Sequence, residues 1–357
     1  MPIDRSAGNP YAQLDQTRRL LGKRLDTLGL GPLEIPSRVV FTKPGITLKS
    51  YGENGSDKPL LLIIPAPIKR AYIWDLAPGA SVVQQCMQHG LRVYLIQWEQ
   101  PGADEQEFGL ADYADRLILD CIDAIEAESD QGRCCLAGHS LGGTLSAIFS
   151  ALHPERVQSL VLLGAPLHFG QAVGALDSLV AITPGPQHRL LTTLLGNIPG
   201  SFLNTVSLLA SPVTFGWSRW QDWLNSLPDA QALQTHLRVE RWTLDEMPLA
   251  RRFFAEVVEL LYREDRFMRG ILTISGKQIA PKHVIAPLLS VIYRPCAIVP
   301  PEAVLPFHRA AGSTNTRILW YEGDTGVSIQ HVGMLVGKNA HHHLWPQIIR
   351  WLKETCA

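Results

Sequence analysis

The 357 residues leave room for one large α/β domain with an inserted subdomain, and with 46% hydrophobic residues there is ample material for a core. Lys plus Arg total 32 against 33 Asp plus Glu, a formal net charge of −1, which argues against nucleic acid and against any strongly charged partner. The longest apolar runs, such as residues 60–64, are far too short to span a bilayer. Met1-Pro2-Ile3-Asp4-Arg5 has no apolar signal core, so a cytoplasmic location is expected. The six cysteines, at 86, 121, 134, 135, 296 and 356, lack zinc-finger spacing and read as buried thiols in a reducing cytosol.

In chain order, residues 1–10 look loose. Leu14, Leu21, Leu25 and Leu28 then line one side of a helix over 11–28, with Arg18, Arg19, Lys23 and Arg24 among them, and this thin stripe predicts a helix packed on the domain. Residues 38–42 and 46–51 flank Lys43-Pro44-Gly45 as a β-hairpin. Buried strands follow at 60–64, 92–98, 134–139 and 157–163, separated by helices over 79–89, 110–128 and 144–149. Strands that are continuous apolar runs between helices mean a mostly parallel sheet covered on both faces.

The rhythm stops near Gly170. Residues 171–280 hold Pro184-Gly185-Pro186, Pro199-Gly200, the cluster Trp217, Trp220 and Trp223, and an amphipathic helix over 247–262. The expectation is a helical cap whose tryptophans and proline-rich 184–200 segment form an apolar lid suited to an acyl chain. Strands at 287–293 and 317–321 and a final helix over 342–353 resume the alternation. The domain reading is a helical extension (1–35), an α/β core in two parts (36–170 and 281–357) and the cap (171–280).

Cys134-Cys135-Leu136-Ala137-Gly138-His139-Ser140-Leu141-Gly142-Gly143 carries the chemistry. Gly-x-Ser-x-Gly is weak alone, but between an apolar strand and a helix it is a nucleophile elbow, with the Leu141 amide at the oxyanion position. A serine hydroxyl needs a base, and in such a fold the base is a histidine after the last strand, the place of His331. His139, beside the serine in a tight turn, points away from it, and His153 and His168 lack such a placement. The run His341-His342-His343 points in three directions on a helix, so no metal is expected. The third member should be an acid after the strand ending at Tyr293, yet Arg294-Pro295-Cys296-Ala297-Ile298-Val299-Pro300-Pro301-Glu302 has no carboxylate in the loop itself. Glu302 starts the next helix. Asp324, seven residues before His331, is the favoured acid, with Glu302 or a bare Ser140–His331 dyad as the alternatives.

Laid out in this way, the chain resembles the poly(3-hydroxyalkanoate) synthases, in particular their short catalytic subunit, over roughly residues 40–355. Ile68-Lys69-Arg70-Ala71-Tyr72-Ile73-Trp74-Asp75-Leu76 is similar to the family's Ile-Asn-Lys-x-Tyr-Ile-x-Asp-Leu. Further pieces follow in the family's order: Trp98-Glu99-Gln100-Pro101, Gly109-Leu110-Ala111-Asp112-Tyr113, Ala151-Leu152-His153-Pro154-Glu155-Arg156-Val157, Ile298-Val299-Pro300-Pro301, His331-Val332-Gly333 and Leu344-Trp345-Pro346. The resemblance implies an α/β-hydrolase fold, a cap, 3-hydroxyacyl coenzyme A substrates, oxyanion amides at Ile68 and Leu141, and His331 as base. It also implies a homodimer or a second synthase subunit as partner, and no cofactor. Two positions depart: the family's Gly-x-Cys-x-Gly-Gly has Ser140 here, and its Asp-His-Ile-Val-Pro-Pro has Cys296-Ala297 here. A serine makes an oxyester and depends far more on its base than a cysteine does. The first reading is therefore an acyltransferase through acyl-Ser140. A thioesterase or esterase comes second, and a catalytically impaired binding subunit third.

Overall fold

The computed structural model describes residues 10–52, 58–169, 180 and 196–356. Eight strands form one sheet: β1 (Arg38–Lys43), β2 (Ile46–Tyr51), β3 (Leu60–Ile64), β4 (Arg92–Trp98), β5 (Cys134–His139), β6 (Val157–Leu163), β7 (Leu288–Tyr293) and β8 (Thr316–Tyr321). Their spatial order is β1-β2-β4-β3-β5-β6-β7-β8. The pairings of β1 with β2 and β2 with β4 are antiparallel and the rest parallel, as expected of a hairpin leading into alternating units.

Both faces are covered, which is why these strands are apolar throughout. Leu60, Leu62 and Ile64 pack with Leu136, Leu160 and Leu162 on one face, against buried residues of α3 (Leu117–Ser129) and α4 (Leu141–Leu152). Leu61, Ile63, Val93 and Val161 turn to the other face, against α2 (Val82–Gln88) and Trp345, Ile348 and Leu352 of the C-terminal helix. Alternate residues of one strand thus serve two cores, as the period of two requires.

Between β6 and β7 the described residues form α5 (Gly200–Ala210), α6 (Ser218–Ser226), α7 (Ala230–Thr243) and α8 (Arg251–Glu256), followed by a small hairpin of Leu272–Ile274 with Lys277–Ile279. The hairpin is the one non-helical element there, and Lys277 Nζ donates to the Leu152 carbonyl at the end of α4. The helix predicted to begin at 247 begins at Arg251. Pro248 disfavours helix at Met247, whose amide instead donates to the Ile68 carbonyl at 3.2 Å. The segment around Pro184 lies outside the described residues. After β7 come α9 (Leu305–Ala310), α10 (Gln330–Val336) and α11 (Trp345–Thr355).

Two expectations are corrected. α1 (Pro10–Thr27) does pack on the protein, but by polar groups: Asp15 is buried and accepts from the amides of Gly200 and Ser201 at 3.2 and 2.7 Å, and Asp26 pairs with Arg241 at 2.6 and 2.7 Å. Leu14, Leu21 and Leu28 face outward. The Asp15 carboxylate meets the orphan amides at the start of α5, and that interaction turns the leucines away. Second, the six cysteines are not all thiols. Cys135 of β5 and Cys356 after α11 form a disulfide, while Cys86, Cys121, Cys134 and Cys296 are free and buried. No described helix is long and apolar enough to cross a membrane.

Candidate active site

β5 ends in the middle of the sheet and α4 starts one residue later, so the chain must reverse at Ser140. It does so with φ 54° and ψ −130°, a left-handed conformation that a non-glycine residue adopts only under constraint. The Ser140 amide donates to the Leu163 carbonyl at 3.0 Å, and its carbonyl accepts from the Gly143 amide at 2.9 Å. A Cβ at Gly138 would strike Gly143 and Ser146, and one at Gly142 would strike the Ile64 carbonyl and Pro65. Only glycine permits so close an approach of helix to strand. Leu141, as the first residue of α4, has an amide with no carbonyl a turn earlier to receive it.

His331, on the first turn of α10, is buried and lines the same cavity as Ser140 and Ile68. Its ring is gripped from three sides. Cys296 Sγ lies 3.6 Å from Nδ1. A Cβ at Gly164, where φ is +50°, would come within 2.9 Å of Cε1. The His139 ring packs 4.5 Å away between centroids, and its Nε2–H donates to the His331 carbonyl at 2.8 Å. Nε2 of His331 has no hydrogen-bond partner among the described residues. Burial, and then the neighbouring His139, hold the His331 imidazole well below its ordinary pKa, so it stays neutral. Burial lowers His139 to about 4.

Cys296 stands where the resemblance has an acid. The Val299 amide donates to Sγ at 3.3 Å. Burial nonetheless pushes the thiol pKa up, against the pull of the Val299 and Ile298 amides. Asp324, expected to reach His331, does not. Oδ1 accepts from the Asn339 amide at 2.7 Å, and Oδ2 from Tyr321 Oη at 2.8 Å and the Ala340 amide at 3.1 Å. The carboxylate is spent on the turn before α11. Glu302 sits in the short helix Pro301–Ala303 at a helix N-terminus, as expected. The structure thus brings Ser140, Leu141, Ile68, His331 and Cys296 together and leaves Asp324 apart.

The cavity, of about 270 Å³, is mainly apolar, with Ile73, Trp74, Leu203, Trp242, Phe254 and Val257 among its walls. Trp217, Trp220 and Trp223 do not line it; they are 57%, 52% and 37% exposed. The expected tryptophan lid is therefore corrected: α6 and the turn before it leave that cluster to solvent. Two features escaped the sequence reading. His139 packs on the candidate base, and Asp222 of α6 accepts from the amides of Gly326 and Ser328 at 2.9 and 2.7 Å and from His236 Nδ1 at 2.7 Å. The second contact fastens the loop before His331 to the helices of the insertion, and no local signal foretells it. Among the described residues no cluster of metal-ligating side chains occurs.

Comparison with known proteins agrees with this fold. The family model described as alpha/beta hydrolase fold matches residues 59–232. The chain is 30% identical over 326 residues to the poly(3-hydroxyalkanoate) polymerase subunit PhaC of Haloferax mediterranei, covering 89% of this chain but only 64% of that protein. Against the subunit of the same name from Synechocystis sp. it is 28% identical over 357 residues, covering 97% and 93%. Among solved structures, a putative lipase from Sulfolobus solfataricus superposes with a TM-score of 0.56 at 14% identity, covering 89% of this chain and 99% of that one, a likeness of fold alone.

Proposed function

We propose, from its α/β-hydrolase fold and its likeness to the poly(3-hydroxyalkanoate) polymerase subunits, that the chain is an acyltransferase working through an ester on Ser140. The observation that carries the reading is the strained Ser140 turn opening into the same apolar cavity as a buried, neutral His331 whose Nε2 has no partner among the described residues.

In the first step Ser140 Oγ attacks the carbonyl carbon of an acyl thioester and His331 Nε2 takes the hydroxyl proton. The oxyanion accepts from the Leu141 and Ile68 amides. As the C–S bond breaks, His331 returns the proton to the departing sulfur, leaving acyl-Ser140 and a free thiol. In the second step an acceptor hydroxyl gives its proton to Nε2 and attacks the ester, and Ser140 leaves with that proton. Cys296 is the Nδ1 neighbour in both steps, so the pair works without a carboxylate. The donor in this reading is a 3-hydroxyacyl thioester of coenzyme A or a carrier protein. Residues 171–280 act as its cap. A cytoplasmic location and a homodimer or second synthase subunit go with the same reading.

A fluorophosphonate should label the protein once, and Ser140→Ala should abolish both labelling and turnover of 3-hydroxyacyl thioesters. Mass spectrometry of the products then separates transferred acyl group or oligomer from free acid, which would make water the acceptor. Full activity in Ser140→Ala sinks the proposal.

A further inference from the structure

Two residues lining the cavity carry a buried polar side-chain atom with no hydrogen-bond partner among the described residues: His331 at Nε2 and Glu246 at Oε2. The first is accounted for by the proton the base must receive. Glu246 has no role in that chemistry, yet it stands beside it. Its backbone forms an antiparallel bridge with Lys69, the residue after Ile68. Its side chain is 2% exposed. One oxygen carries all its recorded bonds: Oε1 accepts from Arg18 Nη2 at 3.1 Å, from Lys69 Nζ at 3.2 Å and from Asn204 Nδ2. An ion pair alone would be served by either oxygen, and a buried carboxylate oxygen left without a donor costs free energy.

The neighbours decide what donor belongs there. Arg18 and Lys69 already outweigh the single negative charge of Glu246, so a third cation would be repelled by both. Burial lowers the Lys69 pKa to about 8, against the pull of Glu246, which marks surroundings already unfavourable to added positive charge. A neutral donor remains, and in a pocket shaped for acyl groups that donor is a hydroxyl. We propose that Glu246 Oε2 is a specificity-determining acceptor for a substrate hydroxyl, carried either by the acyl chain or by the alcohol acceptor. This rests on the acyl-Ser140 reading and names the substrate class of the same site.

The test uses the p-nitrophenyl esters of 3-hydroxybutanoate and butanoate and follows the burst of p-nitrophenol. No burst with either ester, or a burst that survives Ser140→Ala, removes the acyl-Ser140 reading and this proposal with it. Given a Ser140-dependent burst, an acyl-chain hydroxyl predicts that the unmodified protein favours the hydroxyacyl ester by roughly tenfold or more, and that Glu246→Gln lowers that ratio by roughly tenfold. An acceptor hydroxyl predicts no such preference. In that case the partition of butanoyl-enzyme between methyl 3-hydroxybutanoate and water favours the alcohol and falls by roughly tenfold in Glu246→Gln. Should that variant not fold, the two preferences of the unmodified protein still decide. Indifference to the hydroxyl in both arms, or a preference that Glu246→Gln leaves untouched, overturns the proposal.

Discussion

Replacing Cys296 by aspartate should accelerate the enzyme, and the structure sets the scale. Sγ lies 3.6 Å from His331 Nδ1. A carboxylate oxygen stands one C–O bond, about 1.2 Å, beyond the atom bonded to Cβ, which brings it roughly to the range of a charge-assisted N–H···O bond. The cradle already holds an amide donor, with Val299 N 3.3 Å from Sγ, so the new charge would have a partner besides the imidazole. In serine enzymes the orienting acid is worth ~10⁴ in kcat. A neutral thiol is a weak acceptor and recovers little of that. A rise of ~10² to ~10⁴ is therefore available, about 2.7 to 5.5 kcal/mol of barrier. The carboxylate also favours the imidazolium, so the acid limb of the rate profile should move to higher pH in Cys296→Asp. Steady-state kcat on a p-nitrophenyl ester, taken across the pH range with fluorophosphonate labelling as the measure of intact sites, reads both effects. Cys296→Ala should change kcat by less than about threefold, given the weak interaction lost. A folded, fully labelled Cys296→Asp with unchanged kcat and an unmoved limb would refute the idea that position 296 orients His331.

Two further outcomes follow from the same geometry. Asp324→Asn should leave kcat nearly intact but lower stability by about 1–3 kcal/mol, because an amide group would face one of the donors now served by the carboxylate. Thermal unfolding reads it, and a hundredfold loss of kcat without a fall in Tm would restore Asp324 as the acid. In the native enzyme, burial and His139 hold His331 well below its ordinary 6.5, so the acid limb of kcat/KM should lie well under that value. The sign for stability is the same: below about pH 6.5 the unfolded chain binds a proton that the folded one refuses, so Tm should decline with acid. A limb at or above pH 6.5 would contradict the buried, neutral imidazole.

What was legible in the sequence was written in local pattern. Apolar runs such as residues 60–64 and 134–137 named the doubly covered strands, because burial on both faces demands them. The Gly138-x-Ser140-x-Gly142 spacing named the turn, because only glycine clears the Ile64 carbonyl and Gly143 there. What failed was written between distant segments. The leucines of α1 suggested an inward stripe, but the pairing of Asp15 with the start of α5, 185 residues away, decided the helix orientation. Asp324 had the right separation from His331 along the chain, yet the Asn339 and Ala340 amides and Tyr321 claim its carboxylate. Glu246 carried no signal at all, since its importance comes from a bridge to Lys69, 177 residues earlier, and from an oxygen that nothing local satisfies.

Relative to the family pattern, sulfur and oxygen have traded neighbourhoods: a hydroxyl stands where the pattern has a thiol, and a thiol where it has a carboxylate. Both changes bear on one proton. A cysteine nucleophile ionises readily and asks little of an acid beyond the histidine, whereas a serine must deliver its proton to the base in the transition state. With no carboxylate to steady the imidazolium, the barrier rises at each of the two steps, but not equally. A thioester is an activated donor, so acylation of Ser140 can proceed with an impaired base. Deacylation starts from an oxyester, the less reactive species, and leans fully on His331. On the proposed acyl-Ser140 reading, a Ser140–His331 pair backed by a thiol is biased to hold its acyl group inside an apolar cavity until an acceptor with a matching hydroxyl is bound. Water, which gains little from apolar walls, is the poorer competitor there. The same imbalance makes Cys296→Asp informative beyond its rate, because strengthening the base should speed deacylation more than acylation and shrink the standing population of acyl-Ser140.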